Sequence, residues 1–174
     1  MERGVNDVAV GCIWDPVVAG VALGAGVGAR LKVRLGGKVG PGSGEPLDLA
    51  VTVTATHANC FMDALGGSKR RMGDTVALRT DDGMDFVVHS VRSQTLNPSI
   101  FTKLGIDYAA KRILVVKSMQ HFYAAFEPVA AEIIYVAAPG TLGWDFREFP
   151  YTKVARPIWP LDDDPWASGR ERNW

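Results

Sequence analysis

The chain has 174 residues, enough for one domain that buries roughly 70% of its unfolded surface without a disulfide or metal staple. Apolar residues make up 47% and charged residues 22%, and nineteen basic side chains balance nineteen acidic ones. That neutrality removes any general electrostatic attraction to nucleic acid or to an anionic membrane, so neither is expected as a partner.

The N-terminus, MERGVNDVAV, has no apolar signal core, and no run of about 18 apolar residues follows. A cytoplasmic location is the expectation. The low-charge stretch 9–29 is broken by Asp15-Pro16 and diluted by glycine, which resolves it into a strand, a turn and a helix. Val8–Ile13 reads as a buried strand. Asp15 caps a helix with Pro16 at its first position, and the helix runs over about Val17–Gly24.

Arg30–Leu35 alternates, with Leu31, Val33 and Leu35 on one face and Lys32 and Arg34 on the other. Leu47–Thr56 alternates again, and the two form a hairpin around the glycine/proline loop at 37–46. Residues 57–73 give no clear periodicity, and GGSKRRMG within them reads as a basic loop. Thr75–Arg79 and Asp85–Ser90 are strands joined by Asp81-Asp82-Gly83, a hairpin signal. A short helix runs from Pro98 to about Leu104 and stops at Gly105. Ile113–Val116 reads as a buried strand, His121–Ala131 as a helix and Ile133–Ala137 as a strand, together one crossover unit. The fold class is α/β: a mixed sheet with flanking short helices in a single domain, 1–161, with an extended C-terminal segment. Residues 162–174 are expected to be a disordered tail.

Three histidines, His57, His89 and His121, stand far apart and form no HxH or HExxH pair. Cys12 and Cys60 belong to no CxxC pair, and Cys12 reads as a buried free thiol. The loop after Lys38 lacks the phosphate-loop order GxxxxGK[ST], and GxGxxG and GxSxG are absent. The acidic run Asp162–Asp164 reads as a solvated face.

Two strand ends carry the polar chemistry. After Ile113–Val116 come Lys117, Ser118, Gln120 and His121; after Asp85–Ser90 come Arg92 and Gln94. Ligands of α/β proteins gather past the carboxyl ends of strands. Ser118 suits a helix cap. Lys117, directly after an apolar run, needs an anionic partner, either a structural carboxylate or a ligand. Arg92 can hold a carboxylate at two points or form a plain salt bridge.

AVGCIWDPVV at 9–18, GVGARLKVRLGGKVGPGSGEPLDL at 26–49, SVRSQTLNPSIFTKLGID at 90–107, AAKRILVVKSMQHFYAAFEPVAAEIIYVAAPGTL at 109–142 and RPIWPLD at 156–162 together resemble the C-terminal domain of the microcystinase C (MlrC) family of zinc metallopeptidases. The stretch 57–73 matches poorly and carries no inherited role. The resemblance implies an N-terminal domain with aspartate and histidine zinc ligands that performs amide hydrolysis, and an Asp-Asn-Pro-Gly-Gly-Gly loop just upstream of Met1. Neither is in this sequence. Met1 then reads as a boundary inside a longer polypeptide: an expressed piece, a misplaced start codon or the remnant of a broken gene. No metal ligand set is expected in the chain itself.

The resemblance implies an accessory domain, inactive alone, that lines the substrate cleft beside a missing catalytic domain and acts on a peptide or amide substrate. Lys117, Ser118, Gln120, His121, Arg92 and Gln94 are the candidates for that surface. Two other readings stand beside it: a binding module for a small anionic ligand or peptide, which requires a closed pocket, and a structural or oligomerising domain. The accessory reading requires an exposed apolar face.

Overall fold

The computed structural model describes residues 6–138, 140 and 145–165. One mixed sheet of six strands organises them: β1 (Val8–Trp14), β2 (Arg30–Leu35), β3 (Leu47–Asp63), β4 (Lys69–Thr80), β5 (Asp85–His89) and β6 (Ile113–Val116). Their order is β2-β3-β4-β5-β1-β6. The run from β2 to β5 is antiparallel, whereas β1 lies parallel to both β5 and β6. The short helices are α1 (Pro16–Ala25), α2 (Ser99–Thr102) and α3 (Tyr123–Phe126). The architecture is α/β, as the strand and helix signals indicate.

Strand alternation divides the core into two layers. Val76 and Leu78 of β4 and Phe86 and Val88 of β5 face α1, which covers them with Val18, Ala19 and Ala22. The intervening Ala77 and Val87 face the other layer, with Ile100, Phe101, Leu104, Phe122 and Phe126. Each fully buried large aliphatic or aromatic side chain contributes about 1.5–3 kcal/mol. Alanines at 19 and 22 let α1 lie close to the sheet. Gly11 does the same on the opposite face, because a Cβ there would stand 2.7 Å from Cζ of Phe101.

The Asp15 side chain fixes the start of α1. It is buried, and its Oδ1 accepts from the Val18 amide at 3.1 Å. Its Oδ2 accepts from the Gly36 amide at 3.0 Å and from Lys38 Nζ. Lys38 also donates to the Arg34 carbonyl, so it ties the loop after β2 to the helix cap.

A second buried carboxylate closes the other end of the parallel strands. Asp85 is fully buried and receives Arg79 through Nε at 2.7 Å and a second guanidinium nitrogen at 3.1 Å. Lys111 reaches it at 2.8 Å and also lies 3.7 Å from Asp7.

Several expectations are corrected. The stretch 57–73 is no basic loop: β3 continues to Asp63, turns at Leu65–Gly67, and β4 starts at Lys69. Register shifts near Ala55, Cys60 and Phe61 bend this long hairpin, with Asn59 at φ 50° and Gly73 at φ 72°. A side chain at Gly73 would also strike Ser90 Oγ at 2.3 Å. The bend brings Met62 and Met72 over the second core layer.

The strand Ile113–Val116 is not buried. As β6 it is a sheet edge, and Ile113 and Val115 are exposed while Leu114 and Val116 pack inward. The crossover unit is incomplete. α3 runs into a 3₁₀ turn at Glu127–Val129, but Ile133–Ala137 joins no strand. Among the described residues no helix is long and apolar enough to cross a membrane. Of the expected tail, residues 166–174 lie outside the described residues.

Candidate functional site

Parallel pairing puts the carboxyl ends of β5, β1 and β6 on one edge of the sheet. The polar groups named from the sequence collect there. The chain leaving β5 crosses back over β1, and the Thr95 amide donates to the Lys117 carbonyl at 3.1 Å. Lys117 in turn donates its amide to Gly11 at 2.9 Å, extending the β1–β6 ladder by one step. Across this junction Ser118 Oγ donates to Gln94 Oε1 at 2.9 Å. Arg92 lies over the Trp14 ring, its guanidinium carbon 5.4 Å from the centroid. The Trp14 indole donates to the Ser90 carbonyl at 3.0 Å, which orients the ring as a platform.

Four of the six candidates therefore sit around one edge: Arg92, Gln94, Lys117 and Ser118. Gln120 and His121 follow on the exposed turn before α3, and Gln120 Oε1 accepts from the Tyr135 hydroxyl at 3.4 Å. Two local roles are corrected. Ser118 caps no helix, because α3 begins at Tyr123 with no side-chain cap. Lys117 is exposed rather than buried, and no ion pair holds it among the described residues. Its hydration removes the need for a buried carboxylate that its place after an apolar run suggested.

Behind this rim lies His89, fully buried at the end of β5. Its Nδ1 is 2.7 Å from the Val91 carbonyl, while Nε2 has no hydrogen-bond partner. Burial holds its pKa below the ordinary histidine value. The Val91 and Cys12 carbonyls oppose that effect, although Cys12 is not in hydrogen-bond geometry with Nε2, and the Lys117 charge adds to it. The ring is therefore neutral at pH 7. Cys12, beneath it in the core, has its thiol pushed up to about 12 by burial, partly offset by the Thr95 hydroxyl. Such a thiol is protonated and is a poor nucleophile.

The three histidines do not converge: His57 is exposed on β3, His89 is buried and His121 lies on the turn beyond β6. Among the described residues no three His, Cys, Asp or Glu side chains are grouped to hold a metal ion. What the edge can offer chemically is two cations, an amide and a hydroxyl, suited to orienting a carboxylate or a peptide carbonyl. Sequence reasoning missed Trp14, whose neighbours signalled only a strand end. It also left Lys38 without a role, because its partner Asp15 is distant in sequence.

Comparison with known proteins gives a consistent picture. A family model described as the MlrC C-terminus matches residues 1–153. Microcystinase C from a Sphingomonas species is 36% identical over 160 residues, which is 90% of this chain and 30% of that protein. A crystal structure of a candidate metallopeptidase from Mesorhizobium sp. BNC1 superposes with a TM-score of 0.78 at 26% identity, covering 94% of this chain and 33% of that one. The chain thus spans about a third of the length of the relatives it matches.

Proposed function

Because this chain belongs to the MlrC C-terminus family, we propose that it is the accessory domain of a zinc-dependent peptidase or amidohydrolase. It lines the substrate cleft and is inactive alone. The observation that carries this reading is the combination of family membership with coverage of only about a third of the relatives' length. Zinc, which would supply a low-pKa water and polarise the scissile carbonyl, belongs in this reading to the rest of the polypeptide. No step of the reaction is assigned to metal bound here.

The part given to this chain is positioning. Arg92, stacked on Trp14, and the exposed Lys117 present positive charge to a substrate carboxylate or developing oxyanion. Gln94 and Ser118, already bonded to each other, offer amide and hydroxyl groups beside them. Gln120 and His121 extend the same rim. A second reading, a free-standing module for a small anionic ligand, draws on the same two cations; the groove beside Tyr123 and Tyr135 is open and lined by Glu127 and Glu132, which does not favour an anion.

Calorimetric titration of the chain with zinc is expected to show no binding tighter than micromolar. A tight one-to-one site would overturn the proposal. Fused to the upstream part of microcystinase C, the chain should support hydrolysis of a peptide cut by that relative. Arg92→Ala or Lys117→Ala in the fusion should then lower kcat/KM about 10- to 100-fold, as expected for loss of a charged hydrogen bond. Unchanged kinetics in both variants would remove these residues from the cleft.

A further inference from the structure

The segment 131–138 has the sequence of a strand but pairs with no strand among the described residues. Its sequence, AEIIYVAA, is rich in β-formers. Ile133 packs against the core, and Tyr135, still 52% exposed, lies against Phe122 with ring centroids 5.8 Å apart. Between and after them Ile134 and Val136 point away and are 73% and 75% exposed. No backbone hydrogen bond joins 131–138 to another described residue. Exposed amides and carbonyls of this kind are solvated by water and offer a ready template for an added strand, and the exposed apolar side chains beside them favour being covered.

Beside this segment lies an open groove of about 410 Å³. Tyr123, Tyr135, Glu127 and Glu132 are among its lining residues. Neither glutamate forms an ion pair among the described residues. Two carboxylates with two tyrosine rings suit a lysine or arginine side chain.

We propose that 131–138 is an interdomain docking strand. Its occupant is a strand from the two-thirds of an MlrC-type polypeptide outside this chain. The occupant pairs with the 131–138 backbone, covers Ile134 and Val136, and places a basic side chain between Glu127 and Glu132. The inference rests on the reading of this chain as one part of a longer hydrolase. Coverage of about a third of both relatives supplies the occupant, and the acidic groove specifies its charge. Docking also explains why a strand signal at Ile133–Ala137 meets no strand among the described residues.

Hydrogen exchange can be read on the chain alone and on a fusion in which it replaces the matched 160 residues of microcystinase C. Amides 131–138 should exchange almost as fast as an open chain in the first and at least ~100-fold more slowly in the second. I134D/V136D should restore fast exchange in the fusion, whereas V17D/V21D, on the exposed face of α1, should leave it slow. Equal exchange in the two proteins would overturn the proposal. So would slow exchange in the isolated chain that grows with its concentration, which would make a second copy the occupant. If the fusion does not fold, co-expression of the two parts decides: co-purification abolished by I134D/V136D supports the docking strand, and its absence refutes it. A fusion that protects 131–138 but cleaves no peptide sinks the peptidase reading alone; one that cleaves peptide while 131–138 exchanges fast sinks the docking strand alone.

Discussion

Replacing Asp85 by alanine strips the carboxylate from a triad at the start of β5. Two cations remain, with Arg79 half-exposed at 48% and Lys111 only 13% exposed. Removing one partner of a buried ion pair costs about 3–5 kcal/mol. Arg79 can turn into water and recover much of its hydration, whereas Lys111 cannot do so without displacing its own stem. The lower end, about 3 kcal/mol, is therefore expected. With a urea m-value of about 2 kcal/mol/M, the unfolding midpoint should fall by ~1.5 M. Urea titrations followed by tryptophan fluorescence and by circular dichroism check this directly. The triple replacement R79M/D85L/K111M removes the charges together and should lie closer to wild type than D85A. A midpoint shift for D85A below ~0.3 M would refute the argument, since the carboxylate would then hold nothing that water could not.

Two further outcomes follow from the buried groups near the candidate site. His89 has its pKa lowered mainly by burial, so the unfolded chain binds its proton first as pH falls. Stability should therefore decline as pH drops below about 6.5 toward the folded pKa, by at most ~1.4 kcal/mol per pH unit. H89Q should lose this part of the pH dependence in urea titrations at pH 7.5 and 5.5, and an unchanged dependence would show that the ring titrates freely in the fold. Cys12 and Cys60 are both buried, with Cys12 pushed up to about 12. Neither should react with an aromatic disulfide reagent at pH 8 until urea unfolds the chain; rapid native labelling would contradict the buried placement.

Elements whose signals are local were legible in the sequence. Asp15-Pro16 marks the start of α1, the alternation of 30–35 gives β2, and Asp81-Asp82-Gly83 turns β4 into β5. The far half of the β3–β4 hairpin was not legible. Lys69, Arg70 and Arg71 look like loop residues, and only the bulges around Asn59 and Gly73 let that charged arm curl with its methionines inward. β6 shows a different limit. An apolar run fixes that a segment is extended, but not whether both faces are covered within the same chain, and Ile113 and Val115 are uncovered. At the site, strand ends named the polar residues, because parallel strands put those ends together. Their contacts, Ser118 with Gln94 and Arg92 with Trp14, join segments far apart in sequence and needed the folded register.

The position of β1 has a kinetic meaning. The first strand of the chain is flanked by two of the last, with Ala9 opposite Asp85 on one side and Leu114 on the other. The meander from β2 to β5 can form by neighbour-to-neighbour hairpins, but β1 has no place to settle until β5 exists, and it lacks its second neighbour until β6 exists. Its long loop closures make seating β1 a late step. During synthesis residues 8–14 must wait for β5, about seventy residues further on, to gain a first neighbour and for β6, about a hundred further on, to gain the second. The opening strand of this domain is thus among the last of its elements to be seated.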